Sequence, residues 1–568
     1  MKSMQSFALI VVFWAALWPV SSFGKVEPPA ALAGRVTSQE EGPMEGVVVS
    51  AKKQGTTVTI SVVSDAQGRF SFPRTRLDSG GYSIAIRAVG YELDEPGTVE
   101  VGTQKANELD LKLHKAADLS AQLTNTEWLM SMPGTPQQKW DLVYTDCLGC
   151  HSLQRVVRSR YNADEFAKFV SYMLQTFTGG STSHHVQKRI GPLRTVYAAT
   201  GGTGRHVDTE YLSSVNLSKT GKWDYPLKTL PRVTGRGTRV IVTEYDLPRA
   251  DATPHDAVVD RKGMVWYCDF GEQYIGKLDP KTAKVADFPV PQVKPGLDTG
   301  MNDIEVDRDG SLWVALFNQA GLAKFDPKTQ KFQTWRLPKE IDPDARRTVF
   351  VASNAHEADG KIWLGGGRGV WGTDLGQLRV DLKTGKWEEI HEWADAAPGS
   401  PAATRPHGIY GIAADSKNNL YDFDYESEYL VKVDAKTLKA SFYAAPTINS
   451  GPRRGHVDAQ DRVWFAEHHV SKIGMFDPRT EQFKEWTLPT PFSNPYDAVA
   501  DKNGEVWTGG MASDRVVRLN SKTGEFVEYP LPRPTNIRRV DVDNSTNPVT
   551  FWTGNKDGAS IVKVEPLD

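Results

Sequence analysis

Cys147-Leu148-Gly149-Cys150-His151 uses two of the three cysteines in 568 residues. Two thiols at this spacing can each add to one vinyl group of a porphyrin, and the histidine that follows presents an imidazole to the iron. Zinc would need further soft or imidazole ligands at matching spacing, and the chain has no second cysteine pair. The motif therefore predicts one covalent haem c, held by Cys147 and Cys150 with His151 as proximal ligand. The distal position stays open between Met173, His184, His185, His206 and no ligand at all. Met173 is the only methionine between the motif and Met264, and it also reads as a core residue on a helical stripe. The choice sets the chemistry: methionine raises the potential, histidine lowers it, and an open iron can react. Cys268, in Trp266-Tyr267-Cys268-Asp269, reads as a half-buried strand residue.

The N-terminus agrees with export. Met1-Lys2 is a short basic start, Phe7 to Val20 is apolar, and Ser22-Phe23-Gly24 offers small residues to a signal peptidase. Residues 1–24 are expected to be a cleaved signal peptide, because the run falls short of the about 20 apolar residues of a membrane span. A periplasmic protein with no stable membrane span follows, and c-type haem is attached in that compartment. Three cysteines exclude a disulfide framework. Net charge is −3 and the pI about 6.5, with no basic arm or stripe, which argues against nucleic acid as a partner. The chain is too long for one core, and about three domains is the expectation.

Three stretches follow three patterns. Residues 116–232 are helical. Gln137 to Asp146 leads into the haem motif, and a second helix starts at Asn162, where Glu165 completes a capping box. Its apolar stripe is Phe166, Phe169, Val170, Met173, Leu174 and Phe177. A third helix runs from Asp208 through Tyr211, Leu212 and Val215. Helix, motif, helix and final helix resemble a compact class of cytochrome c domain. Residues 32–115 alternate apolar and polar positions in short runs, as in Gly46-Val47-Val48-Val49-Ser50-Ala51, Gly68-Arg69-Phe70-Ser71-Phe72 and Tyr82-Ser83-Ile84-Ala85-Ile86-Arg87. This is the pattern of a β-sandwich. With Asp65-Ala66-Gln67-Gly68 as a turn, it resembles the carboxypeptidase regulatory-like domain, which implies adhesion or spacing rather than chemistry.

Residues 233–568 repeat themselves. One turn recurs from Leu278-Asp279-Pro280-Lys281-Thr282 to Leu519-Asn520-Ser521-Lys522-Thr523, with a final Val564-Glu565-Pro566, at periods of 43 to 55 residues. Each copy follows an Asp/Gly turn and an aromatic strand such as Gly504-Glu505-Val506-Trp507-Thr508. About four strands per period mean a β-propeller. The last copy lacks its final strand, and Val240 to Pro248 supplies a spare one, so seven blades close with shared termini. The chain is thus expected to be mainly β: a seven-bladed propeller, an N-terminal sandwich and a small all-α cytochrome c domain between them. The repeat resembles the virginiamycin B lyase family, which implies the propeller.

Counting back from the blade tryptophan gives one channel-mouth position per blade: His255, Asn302, Tyr410, Arg453, Tyr496 and Arg538, with blade 3 ambiguous between Ala352 and His356. Imidazole, phenols and guanidiniums around one mouth suit an anion or carbonyl compound. In the resembling lyases, Tyr and His of the chemistry sit at this repeat position, and Thr253-Pro254-His255 and Asn494-Pro495-Tyr496 match locally. Their metal-holding Glu two residues before a His has no counterpart here: Thr253, Gly451, Asn494 and Asn536 precede the ring, and Arg405 precedes His407. His356, His407, His456, His468 and His469 are of a type that suits copper, but no spacing forces them together, so no second metal is assigned.

The expected activity is oxidation of a small polar or anionic molecule at the mouth. His255 would be general base, Tyr410 or Tyr496 would orient the substrate, and Arg453 and Arg538 would hold an anionic group. Electrons would pass through the haem to or from a periplasmic partner. The alternatives are a non-catalytic electron-transfer or binding module, and a lyase with the haem accessory.

Overall fold

The computed structural model describes residues 29–95, 97–144, 148, 152–176, 207–294, 300–342, 347–352, 358–368, 376–405 and 407–568. The signal-peptide expectation, Cys147, Cys150, His151, His184, His185, His206 and His356 lie outside them. Met173 falls within the helix Ala163–Thr176, and its side chain is likewise outside what is described.

Seven four-stranded antiparallel units follow one another along residues 240–568. Their innermost strands are Pro254–Val259, Met301–Val306, Arg347–Val351, Ile409–Ala414, Pro452–Val457, Pro495–Ala500 and Ile537–Asp543, for blades 1 to 7. Each of these strands touches that of the next blade, and blade 7 touches blade 1, so the ring closes. The recurring residues have local jobs. The aspartate between strands one and two accepts from the blade's tryptophan indole, as in Asp260–Trp266 at 2.9 Å and Asp501–Trp507 at 3.0 Å. The aspartate of the Asp-Pro-Lys-Thr turn caps the next hairpin. Asp326 accepts from Lys328 N and Thr329 Oγ1, both at 2.8 Å. These bonds pull its carboxyl below the ordinary range.

Val240–Asp246 is the fourth strand of blade 7, paired antiparallel with Ser560–Pro566 in the register Val242↔Val564. Its other edge pairs with Val58–Val63 of the N-terminal sandwich, Val242 opposite Ser61. Blade 7 and one sandwich sheet are therefore one continuous eight-stranded sheet. Ile241 packs in the sandwich core, while Val48 and Val63 of the sandwich pack with Val242 and Val564 of the blade. The sandwich is not a loose spacer. It covers the sheet edge that closure of the propeller leaves exposed.

The helices Asn125–Ser131, Pro136–Tyr144, Gln154–Val157, Ala163–Thr176 and Thr209–Val215 lie between sandwich and propeller in the chain. Asn162 and Glu165 form the capping box, with bonds of 3.0 and 2.9 Å. Asp208 caps the last helix through Tyr211 N at 2.8 Å. The expected stripe is only partly buried. Phe166 is in the core, but Phe169 is 40% exposed and stacks on the equally exposed Tyr161. Among the described residues, no helix is long and apolar enough to cross a membrane.

Candidate functional site

The inner strand of a blade would normally send alternate residues to opposite faces. In six blades the pairing shifts register near the start of that strand, as between Pro254 and Asp256 in blade 1, Pro452 and Gly455 in blade 5, and Ile537 and Val540 in blade 7. Such a bulge lets two successive residues face the same way. The channel therefore carries two layers. The expected mouth residues form the upper one, and their immediate successors Asp256, Asp303, Arg454, Asp497 and Arg539 form the lower. Asp303 adopts a left-handed backbone, φ 56°, to do so. Blade 3 has no register shift in its described pairs.

In the upper layer, the five residues expected to do chemistry meet. Tyr410 Oη hydrogen-bonds Tyr496 Oη, and Tyr496 Oη lies 3.1 Å from His255 Nε2. His255 Nδ1 is 2.5 Å from Asp256 Oδ1. Asp256 can only accept, so Nδ1 carries the proton and Nε2 accepts from Tyr496. Tyr496 in turn accepts from Tyr410, which fixes one direction for the whole chain. Burial lowers the His255 pKa to about 4, against the opposing pull of Asp256, and keeps the ring neutral. His255 Nε2 is thus spoken for, and it can take a substrate proton only through the two phenols.

Arg453 lies over the rings of Tyr496 and Tyr410, at 4.2 and 4.5 Å from their centroids. It donates to His468 Nε2 at 3.0 Å, while His468 Nδ1 donates to Pro495 O. Arg538 sits 5.0 Å from the Tyr496 centroid. Asn302 is buried at its predicted ring position, but its side-chain oxygen has no hydrogen-bond partner among the described residues.

The lower layer is a lattice of ion pairs. Arg454 reaches from blade 5 to Asp256 of blade 1, at 3.1 and 3.2 Å, and also pairs with Asp303. Arg539 pairs with Glu305 at 2.5 Å, and His456 with Asp497 at 3.1 Å. Burial works against the Asp256 carboxylate, but Arg454 and His255 outweigh it and hold its pKa well below the ordinary value. His456 and Arg454 likewise keep Asp497 at about 2 despite burial.

A second ring, absent from the sequence-based expectation, surrounds the first. In the six blades where that position is described, it consists of the residue directly after the second strand: Phe270, Phe317, Tyr425, His468, Met511 and Lys556. All are buried. Blades 1 to 4 contribute aromatic rings in series, from His255–Phe270 at 5.3 Å through Phe317 and Phe350 to Tyr410. The cations Arg453, Arg538 and Lys556 belong to blades 5 and 7. A repeat position counted forward from the blade tryptophan, rather than back, would have found this ring.

The helical segment lies on the same mouth, over blades 5 to 7. Thr126 bonds Ala512 O at 3.0 Å and Phe492 O at 2.9 Å. Trp140 meets His469 edge-on at 5.4 Å. Asn536 Nδ2, two residues before Arg538, lies 3.5 Å from the carbonyl of Leu148. His407 is tied to Asp424 at 2.7 Å and stacked on Trp393, and among the described residues no group of three or more His, Cys, Asp or Glu could hold a metal. Cys268 is fully rather than half buried.

Residues 31–114 match the carboxypeptidase regulatory-like domain. No curated protein matches the chain. Over the propeller it is similar to solved structures of low identity. A streptogramin B lyase structure is 19% identical, covers 58% of this chain and 99% of that one, and has a TM-score of 0.47. Selenomethionine-substituted virginiamycin B lyase from Staphylococcus aureus is 20% identical over 57% and 99%, with a TM-score of 0.46. The β-propeller domain of Myceliophteria thermophila Cps50 is 11% identical over 57% and 100%, with a TM-score of 0.43.

Proposed function

We propose that the protein is an exported, periplasmic haem c oxidoreductase whose helical segment is a cytochrome c domain serving the propeller mouth. The observation that carries this reading is the contact of Asn536 with Leu148. Leu148 stands between Cys147 and Cys150 in the sequence, and Asn536 is two residues from Arg538. The surroundings suit a haem. Leu148 is buried in one apolar cluster with Trp128, Leu153, Val157 and Leu212. Among the described residues the buried Trp128 indole N–H has no hydrogen-bond partner, a donor that asks for an acceptor. Cys147, Cys150 and His151 would hold the group, with Met173, His184, His185 or His206 on the distal side.

Haem c, when attached, supplies a one-electron acceptor. The chain's own residues handle the proton. A substrate O–H hydrogen-bonded to Tyr410 gives its proton to that oxygen. Tyr410 passes its own proton to Tyr496, and Tyr496 passes one to His255 Nε2. The imidazolium formed is stabilised by the Asp256 carboxylate. Arg453 and Arg538 orient an anionic group.

The test uses full-length protein matured with haem and a panel of small polar and anionic compounds. Haem reduction by a compound, lost in His255→Gln and Arg453→Met, is the expected result. One observation favours a second reading, a non-catalytic electron relay: every mouth residue is buried, Tyr496 and Arg453 completely. Reduction by protein partners alone would establish that relay and remove the enzyme. Turnover with the haem redox state unchanged would point to a lyase.

A further inference from the structure

The seam between blades 3 and 4 buries acid without base. Gln377 opens the third strand of blade 3, Gln377–Asp381, and Glu392 opens the short helical turn Glu392–Asp395 that follows its fourth strand. Asp422 lies in the second strand of blade 4, Leu420–Asp424, directly opposite Ile412. A Cβ on Gly365 of blade 3 would lie 3.1 Å from Ile412 Cγ2 and 3.3 Å from Gln377 Oε1, so the missing Cβ leaves the amide room beside that face. Asp422 and Gln377 are 0% exposed and Glu392 is 1% exposed. Gln377 donates through Nε2 to Glu392 Oε1 at 3.1 Å and through its backbone N to Oε2 at 3.3 Å. Among the described residues, Gln377 Oε1 and both carboxylate oxygens of Asp422 have no hydrogen-bond partner. The flanking charges are matched elsewhere, Asp424 to His407 and Arg379 to Glu388. Burial first, then the Glu392 and Asp424 charges, push the Asp422 carboxyl well above the ordinary range. Acceptors buried without donors are costly, charged ones most of all.

We propose that Asp422, Glu392 and Gln377 Oε1 bind one calcium ion between blades 3 and 4. Two carboxylates balance its charge, and a side-chain amide oxygen is an ordinary calcium ligand. Calcium accepts irregular sets of oxygens with water completing the shell, whereas magnesium demands a near-ideal octahedron and dehydrates reluctantly. With no imidazole or thiol in the set, zinc and copper are poorly served. None of the three residues belongs to either ring of the mouth, so the site is independent of the haem and of any chemistry there. The ion would tie two neighbouring blades together.

Denaturant unfolding of the full-length protein, treated with a chelator and then titrated with calcium chloride at constant ionic strength, tests it. At free calcium about a hundred times the Kd, the folding equilibrium should shift about a hundredfold toward the native state. Asp422→Asn and Glu392→Gln should each lose that shift. In chelator, Asp422→Asn should be at least as stable as the parent, because it removes an unpaired buried charge. Should Asp422→Asn fail to fold, Glu392→Gln carries the comparison. An unfolding midpoint that calcium leaves unchanged, or a calcium shift that both variants keep, would overturn the assignment. A parent indifferent to calcium that outlasts Asp422→Asn only in acid would overturn it too, by showing that a proton neutralises Asp422.

Discussion

The two layers of the channel differ by one residue in sequence and by nearly everything in chemistry. Below, formal charges are matched across the channel, Arg454 to Asp256 and Asp303, Arg539 to Glu305. Above, the groups are neutral phenols and imidazoles arranged around Arg453 and Arg538. Matched buried charges have little freedom to react, and removing one partner is expensive. Neutral hydrogen-bonded groups in a chain give a proton a path to follow. The lower layer therefore holds the blades in register and fixes His255, and the upper layer is where chemistry is affordable.

Removing a lower-layer partner should have the largest effect. Arg454→Met strands Asp256 and Asp303 without their shared cation, in a place from which they cannot reach water. Unfolding free energy should fall by about 3–5 kcal/mol, seen as a lower denaturant midpoint. The double variant Arg454→Met with Asp256→Asn should recover part of the loss, because it removes one of the stranded charges. If the single variant were as stable as the parent, the layers would not differ as argued.

Much of this architecture could be read from the chain because the recurring residues are tied to local bonds. Asp260 with Trp266 and Asp326 with Thr329 are contacts within one hairpin, so their spacing recurs faithfully and marks the blades. The spare strand Val240–Asp246 announced the shared blade for the same reason. What could not be read depends on register. Strict alternation would put Asp256, Arg454 and Asp497 on the face opposite His255, Arg453 and Tyr496. Only the bulge brings each pair together. The pairing of Val242 with Ser61 is equally invisible, since any exposed edge could have met blade 7. So is the landing of Leu148 on Asn536, which joins residues 388 apart.

The layers should also separate by pH. Burial lowers the His255 pKa from the ordinary 6.5 to about 4. Between these values the unfolded chain binds a proton that the folded chain does not, so His255 makes stability fall as pH drops from about 6.5 to 4. The contribution reaches about 3 kcal/mol. His468, held below its ordinary value by burial and by Arg453, acts in the same direction. Glu467 acts oppositely. Burial raises its pKa to about 8, so its share of stability is present in acid and is lost as pH rises toward 8. Unfolding series from pH 4 to 8 should show His255→Gln gaining on the parent in acid, and Glu467→Gln gaining on it near neutrality. A parallel offset at every pH would mean that neither group titrates as its surroundings dictate.

The smallest effect on stability should come from the end of the phenol chain, and it separates the two readings of the mouth. Tyr410→Phe deletes one hydrogen bond to Tyr496 and keeps the ring that packs on Phe350 at 5.5 Å. Its cost should be about 1 kcal/mol. Tyr496→Phe also leaves His255 Nε2 without its donor and should cost somewhat more, about 1–3 kcal/mol. If Tyr410 accepts the substrate proton, haem reduction by substrate should slow about a hundredfold in Tyr410→Phe, while the haem potential stays that of the parent. If the chain only braces the mouth beneath the helical segment, the reduction rate should follow stability and barely change. A rate that falls out of proportion to so small a loss of stability is the signature of a group that handles protons.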